Sequence, residues 1–181
     1  MTKLERLGAE DLRQVVIGYR DLLRAHQEAI NRLNVYPVPD GDTGTNMALT
    51  LESVVAEMGS ASDMATVTKA VSHGSLMGAR GNSGVILSQI LRGIAKTLEA
   101  VEAADGPTLA SALSAASEAA YGAVMRPVEG TILSVAKAAA EGAEAGGDDL
   151  VDVLDAAKQA AATALAYTPE QLPVLKQAGV V

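Results

Sequence analysis

The stretch AEDLRQVVIGYRDLLRAHQEAINRL, residues 9–33, decides the fold class. Its apolar members Leu12, Val15, Val16, Tyr19, Leu22, Leu23, Ala29, Ile30 and Leu33 recur every three or four residues, the spacing of one face of an α-helix. His26 falls on the same stripe, where a histidine is expected to be a core residue rather than a ligand. The same period returns along the chain. Met47, Leu51, Val54, Val55 and Met58 predict a second helix ending at Gly59, and Met64, Val67 and Val71 a third that starts after Ser62-Asp63. Leu87, Ile90, Leu91, Ile94, Leu98 and Val101 mark a fourth, and Leu109, Leu113, Ala116, Ala120 and Val124 a fifth with Pro107 in its first turn. Ile132, Val135 and Ala139 carry a sixth, Leu150, Leu154, Ala157, Ala161 and Leu165 a seventh, and a short eighth is expected after Thr168-Pro169. No segment alternates with period two. The pattern predicts an all-α protein of seven or eight helices joined by short loops, hence mostly antiparallel neighbours.

Composition supports this. Of 181 residues 49% are hydrophobic yet only 2% aromatic, so the core must be built from Ala, Leu, Val, Ile and Met, which favours closely packed helices. The third helix ends in Gly74, Ser75, Gly78 and Ala79, so another backbone is expected to approach it closely. With no cysteine there can be no disulfide, thiolate metal site, iron–sulfur cluster or Cys nucleophile, and two histidines make a His-rich metal site improbable. A formal charge of −8 argues against a nucleic-acid binder. No run of 18 apolar residues occurs and the first residues lack a signal peptide's apolar stretch, so a cytoplasmic chain without membrane insertion is expected. The ending Gly179-Val180-Val181 suggests that residues 1–181 are one domain of a longer chain.

Three loops interrupt the helical pattern with chemically useful residues. In NVYPVPDGDTGTN, residues 34–46, prolines and glycines stop the helix, while Asp40 and Asp42 are two apart and can address one point. Thr43, Thr45 and Asn46 add neutral groups at the start of the next helix. Such hard oxygen ligands suit Mg²⁺ or Ca²⁺. Counting Asp40 as position one of an EF-hand puts Thr45 where Gly is required and Leu51 where the bidentate Glu belongs, so that motif is rejected and Mg²⁺ fits better. The plainer alternative is that Asp42 caps the second helix and Asp40 makes an Asx-turn. In GARGNSG, residues 78–84, a Gly-rich turn enters a helix and could bind an anion through backbone N–H groups, with Arg80, Asn82 and Ser83 as further donors. It is neither a P-loop nor a dinucleotide fingerprint, and as a bare pattern it is equally a helix–turn–helix junction. The third loop, MRPVEGT at residues 125–131, reads as a turn made by Pro127 and Gly130, with Thr131 capping the sixth helix. His73 could touch a phosphate, though a surface or packing role is the simpler expectation.

Taken in order, residues 34–47, LMGARGNSGVILSQ at 76–89 and RPVEGTIL at 126–133 closely resemble the nucleotide-binding domain of bacterial fatty acid kinase, within a wider superfamily that includes the nucleotide-binding subunit of dihydroxyacetone kinases. The resemblance implies an antiparallel barrel of eight helices with ADP or ATP and two Mg²⁺ at one end. It implies that Asp40 and Asp42 hold the Mg²⁺ ions, with Asn34 standing near where the dihydroxyacetone kinase relatives have a third Asp. It places Thr43, Thr45 and Asn46 along the phosphates, Gly81, Asn82, Ser83 and Gly84 around the phosphates or adenosine, and Met125, Pro127 and Thr131 beside the adenine. Full-length relatives continue with an Asp-Ser-Gly-Gly-like segment that helps close the site and with further domains, implicated in dimerisation and in meeting a separate fatty-acid-binding carrier protein. The implied reaction moves the γ-phosphoryl group of ATP to a fatty acid carboxylate. That acceptor is already ionised at neutral pH, so no general base is needed. The rivals are a dihydroxyacetone-kinase-like enzyme acting on a hydroxyl and a nucleotide-binding module without turnover.

Overall fold

The computed structural model describes residues 5–180. Eight helices and no strand occur among them: α1 Ala9–Arg32, α2 Thr43–Met58, α3 Met64–Gly78, α4 Gly81–Leu98, α5 Gly106–Gly122, α6 Ile132–Ala145, α7 Leu150–Gln171 and α8 Pro173–Ala178. Each packs on its successor, with further contacts between α1 and α3, α2 and α4, and α5 and α7. The chain therefore runs up and down, and its loops gather at two ends. Residues 33–42, 79–80 and 123–131 lie at one end; residues 59–63, 99–105 and 146–149 lie at the other.

Local chemistry starts the helices where the sequence has capping residues. Asp63 accepts the Thr66 N–H, Asp105 the Thr108 N–H, Asp149 those of Val151 and Asp152, and Thr131 that of Leu133. Pro107 sits in the first turn of α5, where no N–H is needed. The core is aliphatic, as composition required. Leu51, Val54, Met58, Val67, Leu87, Leu98, Leu150 and Val153 are essentially removed from water. Each such side chain contributes roughly 1.5–3 kcal/mol by leaving solvent. At the far end Leu7 and Ala104 exchange backbone hydrogen bonds of 2.8 and 2.9 Å, tying the segment before α1 to the α4–α5 loop.

The approach expected at the glycines of α3 is made by α2. A Cβ on Gly74 would lie 2.9 Å from the Val54 Cα, one on Gly78 2.2 Å from the Ser53 Cβ, and one on Gly84 of α4 2.6 Å from the Thr50 hydroxyl. These small residues let α2 lie close on both α3 and α4, and α2 carries the Asp-rich loop at its head.

Three expectations are corrected. His26 is exposed rather than core, and Val15, Leu22 and Leu33 are 58%, 61% and 47% exposed. The apolar arc of α1 is wider than the surface that α2 and α3 cover, and these residues fall on its open flank. Helix α4 stops at Leu98, short of Val101, which lies in the following turn. And α7 does not end before Pro169 but runs through it to Gln171, with α8 following one residue later. Proline removes the N–H that would bond the Leu165 carbonyl; the Thr168 hydroxyl donates to that carbonyl at 2.8 Å instead.

Candidate functional site

The loop from residue 33 to residue 42 is bent by the residues that stopped the helical pattern. The Tyr36–Pro37 peptide is cis, the Asp40 N–H donates to the Val38 carbonyl at 2.9 Å in a three-residue turn about Pro39, and Gly41 adopts a left-handed φ of 69°. This brings Asn34 against Asp40: the Asn34 amide donates to the Asp40 carboxylate at 2.7 Å. Asp42 occupies the position before α2, yet its carboxylate accepts no capping hydrogen bond. Its φ and ψ of −115° and −3° lie outside the extended region from which an N-cap side chain reaches back over its helix. The plainer reading of Asp42 as a cap is therefore not the one the fold adopts.

The first turn of α2 is gripped by α1. Thr45 turns toward that helix: its hydroxyl oxygen accepts from the side-chain amides of Gln27 at 3.1 Å and Asn31 at 3.0 Å, and its N–H donates to the Asn31 side-chain oxygen Oδ1 at 3.1 Å. Beside it Gly44 lies so near the Gln27 carbonyl that a Cβ would stand 2.3 Å from the oxygen. On the opposite side of the turn the Asn46 amide meets Gly81, which has a φ of 56° and leaves no room for a side chain. The first two loops thus meet through Asn46 and Gly81, and again through Thr50 and Gly84 one turn deeper. Arg80 is exposed, with its guanidinium donating only to the neighbouring Ala79 carbonyl at 3.3 Å, and Asn82 is exposed beside it. Ser83 is half-buried.

The third loop is built independently. Glu129 accepts the Tyr121 hydroxyl at 3.0 Å and the Ser134 hydroxyl at 2.5 Å, while the Ser134 oxygen accepts the Gly130 N–H at 2.8 Å. One carboxylate thereby joins the end of α5 to the start of α6. Partial burial, and then the hydrogen bond and charge of Glu129, raise the Tyr121 pKa, so the phenol remains a donor. Gly130 rests on the end of α7, against Thr168 and Leu172. Thr131 caps α6 as expected, its own hydroxyl donating to the Val128 carbonyl at 2.8 Å. Met125 is 98% exposed and Pro127 is exposed; both share the end of the molecule with the Asp loop but have no hydrogen-bonded link to it. His73 lies elsewhere, its Nδ1 3.0 Å from Glu57 across the α2–α3 contact.

Two open clefts mark the surface of the described residues. One, of about 340 Å³, lies between α5 and α6 around Ser117, Tyr121, Lys137 and Glu141; the other, of about 760 Å³, lies at the far end around Glu57, Asp63, Lys69 and His73. Neither is lined by residues of the Asp loop. Among the described residues no group of three or more His, Cys, Asp or Glu side chains converges as a metal cage. Two carboxylates and an amide oxygen still suit Mg²⁺, which binds through one or two carboxylates and leaves its other positions to water and phosphates. Sequence reading missed Gln27, Asn31, Glu129 and Ser134. The polar residues of α1 near its end were the available signal, since they sit where the helix needs no polar contact of its own.

Fold and loops together define an all-helical domain in which a carboxylate loop is set at the head of one helix and backed by a Gly-rich turn. The chain belongs to the DAK2 domain family, whose model matches residues 37–181, and is thus a kinase-like domain. It is 44% identical over 183 residues to Protein YloV of Bacillus subtilis, covering 98% of this chain and 33% of that protein. It is also 44% identical over 173 residues to an uncharacterized protein of Staphylococcus saprophyticus, covering 93% and 31%, and 42% identical over 183 residues to one of Staphylococcus aureus, covering 98% and 33%. The chain spans about a third of the length of these relatives. Among the described residues no helix is long and apolar enough to cross a membrane.

Proposed function

We propose that this chain is the nucleotide- and Mg²⁺-binding kinase domain of a fatty acid kinase, acting in the cytoplasm with a separate fatty-acid-binding carrier protein. The observation that carries the reading is the state of Asp42: a carboxylate at the head of a helix that is not used to cap it, beside an Asp40 already oriented by Asn34. Asp40 and Asp42 would hold two Mg²⁺, with the Asn34 amide oxygen as a further ligand. The bound cations would neutralise charge on the β- and γ-phosphates. Thr43 at the head of α2, with Asn82, Ser83 and Arg80 at the head of α4, supply donors toward the phosphates. Thr45 and Asn46 hold the turn in place, as do Gly81 and Gly84, and Met125, Pro127 and Thr131 border the base.

In the reaction a carboxylate oxygen of the fatty acid attacks the γ-phosphorus of ATP as the bond to the β-phosphate oxygen breaks, giving acyl phosphate and ADP. The acceptor enters ionised, so the residues must position it and stabilise charge rather than remove a proton. The spare composition of the loops, with no histidine among them, suits that task.

Calorimetric titration of ADP and ATP with Mg²⁺ and with EDTA, beside Asp42→Asn, tests the site. Binding that needs both the metal and Asp42 is expected; metal-independent binding would overturn the assignment. Supplying fatty acid on its carrier, or dihydroxyacetone on its own subunit, then separates acyl phosphate from dihydroxyacetone phosphate as product. Because the chain spans only a third of its relatives, a domain that binds nucleotide but needs the remainder for turnover is the second reading. It predicts binding without product in this chain, and product when the longer protein is used.

A further inference from the structure

We propose that Asn31 is a positioning residue of the candidate site: it caps α2 from the neighbouring helix and thereby releases Asp42 for the cation. The proposal rests on the reading of Asp42 as a cation-holding carboxylate.

A helix begins with N–H groups that have no partner inside it, and an Asp at the N-cap position ordinarily accepts from the second or third of them. In α2 those residues are Gly44 and Thr45, and Asp42 stands at the N-cap position without making the bond. The Thr45 N–H goes to the Asn31 side-chain oxygen of α1, at 3.1 Å. The orientation of the Asn31 amide follows from this contact, because only its oxygen can face an N–H. Its nitrogen is then turned to the Thr45 hydroxyl oxygen, to which it donates at 3.0 Å, and Gln27 donates to the same oxygen from one turn earlier in α1. Gly44 lies too close to the Gln27 carbonyl for any side chain, so the two helices are held at the distance this exchange requires. The requirement usually met by the helix's own Asp is thus met from another helix.

The consequence is chemical. A carboxylate that accepts a backbone N–H at a cap is stabilised where it is and must surrender that bond to take a cation. Asp42 has no such bond to surrender. If Asn31 lost its acceptor, Asp42 would be the nearest replacement for the orphaned Thr45 N–H once its backbone turned into the extended region, and capping would then compete with cation binding.

Two measurements test this. In calorimetric titrations of ADP against increasing Mg²⁺, Asn31→Ala is expected to raise the Mg²⁺ concentration needed for half-maximal binding about tenfold, the usual size of an outer-shell loss. Asn31→Asp keeps an acceptor for the Thr45 N–H, which the Thr45 hydroxyl can also approach as donor, and is expected to recover most of the affinity. Thermal unfolding without ligand gives an independent readout. Asp42→Ala alone is expected to leave Tm nearly unchanged, and Asn31→Ala to lower it modestly because Asp42 takes over the cap. The double variant should lose more than the two losses combined, since no cap remains. Unchanged Mg²⁺ dependence in Asn31→Ala, equal impairment in Asn31→Asp, or strictly additive Tm losses would each overturn the proposal while leaving nucleotide binding by the wild type intact. Wild-type protein that binds no nucleotide would instead overturn the functional reading, and the role of Asn31 with it.

Discussion

Gly93→Ala and Gly18→Ala are the same substitution in the interior of two long helices, and the structure assigns them opposite signs. Helix propensity alone favours Ala at both positions by roughly 0.8–1 kcal/mol. Gly18 of α1 has nothing within 4 Å of where its Cβ would stand, so the full gain is expected there. Gly93 of α4 is buried against α5, where a Cβ would fall 2.6 Å from the Ala115 carbonyl oxygen and 2.6 Å from the Ala116 Cα. That is about 0.8 Å inside ordinary van der Waals contact. The obstacles are backbone atoms, which cannot rotate aside, so α4 and α5 must part along a contact that fills much of the core. Overpacking of this kind costs about 1–3 kcal/mol, and its upper range applies where only backbone can yield. After the propensity gain, Gly93→Ala should be destabilised by about 1–2 kcal/mol, a fall in Tm of roughly 2–8 °C for a chain of this size. Gly18→Ala should rise by about 1–4 °C. Thermal and urea unfolding of both variants beside wild type decide the matter. A Gly93→Ala protein stabilised as much as Gly18→Ala would refute the close α4–α5 approach, because propensity would then account for both positions.

Three further outcomes are expected. Asp42→Asn should lose Mg²⁺-dependent nucleotide binding in calorimetry, and Asp42→Ala should unfold within about 0.5 kcal/mol of wild type, since the carboxylate makes no cap; a large stability loss in Asp42→Ala would show that it does. Ser134→Ala should destabilise by about 1–2 kcal/mol, because the buried Gly130 N–H loses its acceptor, and urea midpoints would measure it. Asp63 and Asp105 have pKa values lowered by hydrogen bonds from Thr66 and Thr108, so their stabilisation is complete above the ordinary carboxylate range and is lost as pH falls through their lower native values. Asp63→Asn and Asp105→Asn should accordingly differ most from wild type near neutrality and converge with it in acid, which unfolding curves from pH 7 to pH 2 would follow.

Much of this protein is legible in its sequence because the relevant forces are local. The period of apolar residues in Ala9–Leu33 and its successors determines the helices, since burying one face of each is what the chain must do. Asp63 and Thr131 mark helix starts because a short side chain needs only its own next turn as partner. The Asp40–Asp42 spacing, with glycines about it, marks the chemical loop for the same reason. What the sequence could not show were choices that depend on which surfaces meet. Asp42 has the composition of a cap and is not one, because Asn31, eleven positions earlier, takes the N–H first. Pro169 should have ended α7, but the Thr168 hydroxyl replaced the missing donor. Val15, Leu22 and His26 share the apolar stripe of α1, yet lie open because its neighbours cover only part of that arc. The glycines at 74 and 78 announced a close approach without saying by what; only packing showed that it is α2, and that the same approach, with Gly84 under Thr50, sets the head of that helix, with its two aspartates, against the Gly-rich turn. Local pattern determines which segments form, whereas partner choice is a property of three-dimensional contact, and in this fold it decides which carboxylate is left free to act.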